Sequence, residues 1–174
     1  MSVNNKNFII KTAVLTISDK GSRGERKDLS GPILKEMMEK IGAKVIYEKI
    51  IADEKEEIKE ALIKISDQKK ADLILTTGGT GFAERDITPE ATLEVIEKEV
   101  PGIPEKIRSD TISITPQAAL SRARAGIRAN TLIINFPGSP KAVRECLESV
   151  IEVIPHGVKI LKGEITEHQP SHKN

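Results

Sequence analysis

Tryptophan is absent from this 174-residue sequence, and Tyr47 with three phenylalanines completes its aromatic inventory. Base-stacking platforms for single-stranded nucleic acid are therefore not available, and any core must rest on Ile, Leu, Val and Ala. A single cysteine, Cys146, permits no internal disulfide, no thiolate zinc site and no Cys-x-x-Cys redox pair. Of three histidines, only His156 stands outside the polar tail, so no His-rich metal cluster can form, and no G-x-S-x-G elbow offers a serine nucleophile. Charge of one sign is lacking too: 27 basic against 26 acidic residues leave a formal +1. That balance excludes a general binder of nucleic acid or acidic membrane, so any anion site must be local. The amino end, MSVNNKNF, lacks a basic-then-apolar leader, and no apolar run approaches the roughly 20 residues of a membrane helix. A cytoplasmic enzyme with neither a nucleic-acid nor a membrane partner is expected.

What is present is alternation. Apolar, β-branched runs at 9–18, 44–52, 71–77 and 130–136 predict four buried strands. Between them lie helical patterns. Pro32 opens one that stops at Gly42. Asp53 followed by Glu56 precedes an apolar stripe of Ile58, Ala61, Leu62 and Ile65, so Asp53 is a candidate helix cap. Thr88-Pro89-Glu90 resembles a cap, first-turn proline and acid, opening a helix to about Glu99. Two shorter helices are predicted within 103–127, the second running from Thr115-Pro116 to near Gly126 with Ser121, Arg122 and Arg124 on one face. Ser139 and Pro140 start a last helix, which Pro155 should kink or interrupt. The expected fold is a single α/β domain, a three-layer α/β/α sandwich with a mostly parallel central sheet and right-handed crossovers. Its core is expected over about 8–163, with flexible tails at 1–7 and 164–174. Ligands in such sheets bind outside the carboxyl ends of strands, which singles out the loops after Ser18, Thr77 and Phe136.

Chemistry-bearing residues fall in those loops. Thr77-Gly78-Gly79-Thr80-Gly81 presents backbone amides that phosphate can approach closely. It is neither a Walker A loop nor a G-x-G-x-x-G fingerprint. Pro137-Gly138-Ser139-Pro140-Lys141 places a helix N-terminus after a buried strand, a ready anion site to which Lys141 adds a cation. Asp53 at a strand exit and Asp86 in G-F-A-E-R-D-I-T-P-E are the acids suited to holding Mg²⁺ against phosphates, although Asp53 serves equally as a cap. The loop 21–28, dense in Arg, Lys, Glu and Gly, is either a lid or a solvated loop. With no side-chain nucleophile in view, the chemistry left open is positioning and charge neutralisation, as in phosphoryl and nucleotidyl transfer.

In order along the chain stand TAVLTISDKGSRGERKDLSGP, IIADE, LILTTGGTGFAERDITPEAT, ITPQAALSRARAGIR and TLIINFPGSPKAVRECL. With these motifs the sequence resembles the MoaB/Mog proteins of molybdenum cofactor synthesis, most closely the Mog branch and the gephyrin-type G domains. The resemblance implies Mg²⁺-dependent transfer of AMP from ATP to the terminal phosphate of molybdopterin, releasing pyrophosphate. It assigns Asp53 and Asp86 to Mg²⁺ and phosphate handling and places Thr77 to Gly81 and Pro137 to Lys141 around the substrates. Ser18 and Asp19 would edge the pocket, Ser121 and Arg122 would lie near the pterin, and Glu90 would orient the same loop. A homo-oligomer, typically a trimer, is implied, with molybdenum-insertion and molybdopterin-synthase enzymes as partners. Two alternatives keep the fold: a non-catalytic molybdopterin-binding scaffold, and a nucleotide pyrophosphatase.

Overall fold

The computed structural model describes residues 8–165; the expected tails, 1–7 and 164–174, lie outside that span apart from Glu164 and Ile165. Six strands, with β4 at Lys98–Glu99 and β5 at Ala125–Arg128, form one sheet in the order β2-β1-β3-β6-β5-β4, and a single helical turn, α1 (Asp19–Ser22), follows the first strand. Strands β1 (Lys11–Ile17), β2 (Lys44–Ile51), β3 (Leu73–Thr77) and β6 (Thr131–Phe136) run parallel to one another. Every residue of β3 and β6 is buried, because helices cover both faces and remove the polar side that a half-exposed strand would show.

Side chains alternate between the two faces along each strand. Ala13, Leu15, Ile17, Ile74 and Ile133 meet Ile58 and Leu62 of α3 (Lys55–Lys64) and Ala91 and Val95 of α4 (Thr88–Val95). Val14, Leu75, Ile134 and Phe136 meet the opposite layer. That layer holds α2 (Ser30–Lys40), α5 (Gly102–Thr111), α6 (Pro140–Val150) and α7 (Ile154–Leu161), through Leu34, Ile107, Leu147 and Val158. The expected α/β/α sandwich and its four parallel strands are in place. Ser139 caps α6 by accepting from the Ala142 amide, and Pro155 lies in the first turn of α7, after the break that its ring imposes.

Several elements differ from expectation. The helix predicted from Thr115 to Gly126 is a short 3₁₀ turn, Pro116–Leu120, followed by extended chain and β5 (Ala125–Arg128), which pairs antiparallel with β6. The open edge of β6 recruits this segment: the Arg124 amide donates to Asn135 Oδ1 at 3.1 Å, and the Asn135 amide donates to Arg124 O at 2.9 Å. Gly126 is not a helix stop. It lies where a Cβ would come within 2.7 Å of the Lys98 carbonyl, a close approach that only glycine allows. The α4 helix ends at Val95, and Lys98–Glu99 forms a short edge strand, β4, on β5. Helix α2 starts at Ser30, because Asp28 Oδ1 accepts the amides of Ser30 and Gly31, both at 3.0 Å.

Candidate phosphate and metal cleft

Strand register brings four chain exits together. Ile17 lies beside Ile51, Thr16 beside Thr77, and Thr77 beside Phe136. Backbone bonds extend the pairing beyond the strands: Ser18 N donates to Ile51 O at 2.8 Å and Gly78 N to Phe136 O at 3.0 Å. The Thr77 hydroxyl donates to Pro137 O at 2.7 Å, tying the glycine turn to the Pro137–Lys141 loop. Over this edge opens a cavity of about 610 Å³, whose walls include Ser18, Asp28, Asp53, Gly78, Gly79, Asp86, Gly138, Ser139 and Pro140.

The glycine turn has the form that close approach requires. Gly78 and Gly79 have φ of +103° and +65°, values L side chains rarely adopt. A side chain on Gly78 would strike the Ile17 carbonyl, and one on Gly79 would strike the Thr88 hydroxyl and lie 3.2 Å from Asp53 Oδ1. Thr88 does not cap α4 through its side chain: its hydroxyl donates to Gly78 O at 3.0 Å and its amide to Gly79 O at 3.1 Å, pinning the turn.

Asp53 is likewise not a helix cap. Glu54 occupies the cap position of α3 and makes no side-chain bond there. Asp53 instead exchanges backbone amides with the β1 exit: its Oδ2 accepts from Asp19 N at 2.8 Å, and Asp19 Oδ1 accepts from Asp53 N at 3.0 Å. Burial raises the Asp53 carboxyl above its ordinary pKa, and the neighbouring charges of Asp19 and Asp86 push the same way. Asp86 reaches the cavity from the loop after the turn, where its Oδ2 accepts from Ala83 N at 3.0 Å. A side chain on Gly81 would stand 2.8 Å from that oxygen.

Arg85 ties these loops together. Its Nε and Nη2 fork onto Asp19 at 2.5 and 3.0 Å, and Nη2 also donates to Asp53 O at 3.1 Å and Glu54 Oε1 at 2.6 Å. The hydrogen bond from Arg85 holds the Asp19 carboxyl below its ordinary pKa, and those to Asp19 and Glu54 raise that of the guanidinium. On the other side, Arg122 donates to Gly81 O at 2.7 Å and to Asp86 O, and pairs with Glu90. Glu90 thus braces the arginine that supports the Asp86 loop, and Arg122 faces that loop's backbone.

The remaining expected residues lie further out. Thr80, Gly81, Ser121 and Pro137 border a second, more apolar cavity of about 370 Å³, and Glu90, Ser121 and Arg122 border a third depression of about 280 Å³. Lys141 does not face the main cavity. Its side chain is 81% exposed and lies 3.8 Å from Glu145. The cations that do line that cavity are Arg26 and Lys27, from the arginine-rich loop. Sequence reading left these two unassigned, together with Asp28, which also accepts from the Thr16 hydroxyl at 2.7 Å, and Ser30, which donates to Gly138 O at 2.8 Å. An Asp two residues before Ser-Gly-Pro is a helix-start signal, and it was the available pointer to Asp28.

The fold and cleft define an α/β protein with a two-carboxylate cleft, lined by a glycine turn, at the carboxyl edge of its sheet. Comparison with known proteins narrows this class. Residues 13–156 match the family described as "Probable molybdopterin binding domain", and the chain belongs to that family. It is similar to the molybdopterin adenylyltransferase of Helicobacter pylori, with 46% identity over 156 residues covering 88% of this chain and 89% of that protein. Among solved structures it resembles the molybdopterin biosynthesis enzyme MoaB of Thermus thermophilus, with 46% identity and a TM-score of 0.84 over 89% of this chain and 98% of that one. It also resembles the tungsten cofactor synthesizing protein MoaB of Pyrococcus furiosus, with 35% identity and a TM-score of 0.79 over 88% and 98% of the two chains.

Proposed function

We propose that this protein is a molybdopterin adenylyltransferase, transferring AMP from ATP to the terminal phosphate of molybdopterin. The carrying observation is that Asp53 and Asp86, from different loops, face one cavity that Gly78 and Gly79 of the glycine turn also line. The relatives' names alone do not decide, since a MoaB-named structure and an adenylyltransferase are equally similar at 46% identity. A scaffold that only held the pterin would have no use for two carboxylates kept in mutual repulsion.

In this reading a phosphate oxygen of the pterin attacks the α-phosphorus of ATP, the bond to the β-bridging oxygen breaks, and pyrophosphate leaves. The chain supplies no nucleophile. The amide at Gly79, the N-terminus of α6 capped by Ser139, and the cations Arg26 and Lys27 hold phosphate charge and align it, while Gly78, its amide bonded to Phe136 O, leaves room for the close approach. Asp53 and Asp86 suit Mg²⁺: hard carboxylate oxygens, with Asp53 Oδ1 beside Gly79 while Oδ2 is taken by an amide. Among the described residues no group of three or more acids, histidines or cysteines could hold a metal, which fits an ion that shares one or two carboxylates with substrate phosphates. Bound there, Mg²⁺ would offset the negative charge gathered at phosphorus.

The reading includes a homo-oligomer, expected to be a trimer. Phe82, Ile112, Ile114 and Leu120 are exposed, Phe82 by 70%, and Phe82 and Leu120 border the second, apolar cavity. Cover by another copy of the chain is the natural fate of such a patch.

The direct test incubates the purified protein with molybdopterin, Mg²⁺ and α-labelled ATP. Label moving to the pterin is expected. Pterin binding without label transfer would favour the scaffold, and hydrolysis of dinucleotides without pterin would favour a pyrophosphatase.

A further inference from the structure

Arg85 does not line the cavity, yet its one guanidinium contacts three acidic residues at two strand exits while its own backbone carries the next residue, Asp86. Asp19 follows β1, Asp53 and Glu54 follow β2, and Asp86 follows the turn after β3. The carboxylates of Asp53 and Asp86 are therefore not set by the sheet alone. Asp86 sits in a loop that departs from the sheet at Thr77, and its backbone tethers to the other exits are few. Besides the bonds of Thr88 to the glycine turn, two arginines hold that loop: Arg122 from one side, onto its carbonyls, and Arg85 from the other, onto the loops that bear Asp53.

We propose that Arg85 is a positioning residue that sets the separation of Asp53 and Asp86, and thereby the metal–triphosphate geometry of the transfer step. This rests on the functional reading above. Isolated exposed ion pairs contribute little to stability, and Arg85 is half exposed. Its value lies in geometry: a planar fork takes both oxygens of Asp19 and leaves Nη2 aimed at the Asp53 carbonyl and Glu54, contacts a lysine's single ammonium cannot reproduce together. The Asp19–Asp53 exchange of amides then passes that constraint to the Asp53 carboxylate.

The experiment compares Arg85→Ala and Arg85→Lys with the parent in two measurements. One is steady-state adenylyl transfer. The other is Mn²⁺ affinity in the presence of ATP, read by electron paramagnetic resonance without pterin. For Arg85→Ala, kcat is expected to fall about 10- to 100-fold, the loss that misplacement of reacting groups by about an ångström produces. Mn²⁺ affinity should fall at least tenfold, with KM for ATP within about twofold of the parent. Arg85→Lys should lie nearer to alanine than to arginine. Parent-level kcat and Mn²⁺ affinity in Arg85→Ala would overturn the proposal. A raised KM with unchanged kcat would also overturn it, because Arg85 would then be a substrate contact. If the alanine variant does not fold, the lysine variant, which keeps the charge and the aliphatic stem, decides alone: parent-level values in it refute the fork. The Mn²⁺–ATP measurement also separates the two claims. Weakened Mn²⁺ binding in the variants of a parent that transfers no AMP would support the positioning role and discard the adenylyltransferase reading.

Discussion

Replacing Asp53 by Asn should move stability and activity in opposite directions. Asn is nearly isosteric, and its carbonyl can keep the 2.8 Å bond from the Asp19 amide. What disappears is a charge that the fold tolerates poorly. The Asp53 carboxyl titrates above its unfolded value of 3.8 because it is partly buried and faces Asp19 and Asp86. Between 3.8 and the higher folded value the native state holds the extra proton, so stability falls as pH rises through that window, and the cost persists at neutral pH. Asn removes that charge, so relief of the cost should raise Tm at neutral pH. Adenylyl transfer should fall much further. Loss of a metal-linked stabilisation of several kcal/mol corresponds to roughly two to four powers of ten in kcat, at about 1.4 kcal/mol each. Thermal unfolding at pH 7 and label transfer at saturating Mg²⁺ check the two halves. A variant that is less stable, or that transfers AMP within about threefold of the parent, would refute the assignment of Asp53 as a strained functional acid.

Asp86→Asn should leave molybdopterin binding nearly intact and abolish AMP transfer, as read by pterin fluorescence and label transfer on one preparation. Thr88→Val should cost about 1–3 kcal/mol in urea unfolding, since it strands the Gly78 carbonyl in a buried setting, and should weaken ATP binding by loosening the turn. Lys141→Ala should leave KM for ATP unchanged, because that side chain points to solvent, whereas Arg26→Ala combined with Lys27→Ala should raise it several-fold. Phe82→Glu should lower the sedimentation coefficient toward that of a monomer while preserving the circular dichroism spectrum.

The parallel core was legible because burial on both faces writes itself into sequence as unbroken runs, LILTT and TLIINF among them. The edge was not. Ala125–Arg128 and Lys98–Glu99 carry no strand pattern of their own; they pair because β6 leaves its outer edge open and the Asn135 side chain holds the Arg124 amide. In Asn135 a single amide group satisfies the Arg124 N–H and the hydroxyls of Thr76 and Thr92, a tertiary device that no local periodicity announces. Gly126 misled for a related reason. Sequence shows that a glycine is present but not whether a turn or a neighbouring strand requires it.

At the site, the same limit separates residues whose position follows from strand exits from those whose role follows from a partner. Thr77 to Gly81 and Asp53 were readable because parallel strands must end side by side, and whatever follows them must share an edge. Capping logic then assigned Asp53 and Thr88 to helix starts, where the structure gives each to the cleft: Asp53 to the Asp19 amide and Thr88 to the Gly78 carbonyl. The two uses compete for the same oxygen, so a cap residue freed from its helix is evidence of another demand on it. Helix α3 begins without a side-chain cap at Glu54 and α4 without one at Ile87. Each forgoes about 1 kcal/mol of capping stability, and at both helices the residue expected to supply it bonds instead to another loop of the cleft, Asp53 to the Asp19 amide and Thr88 to the glycine turn.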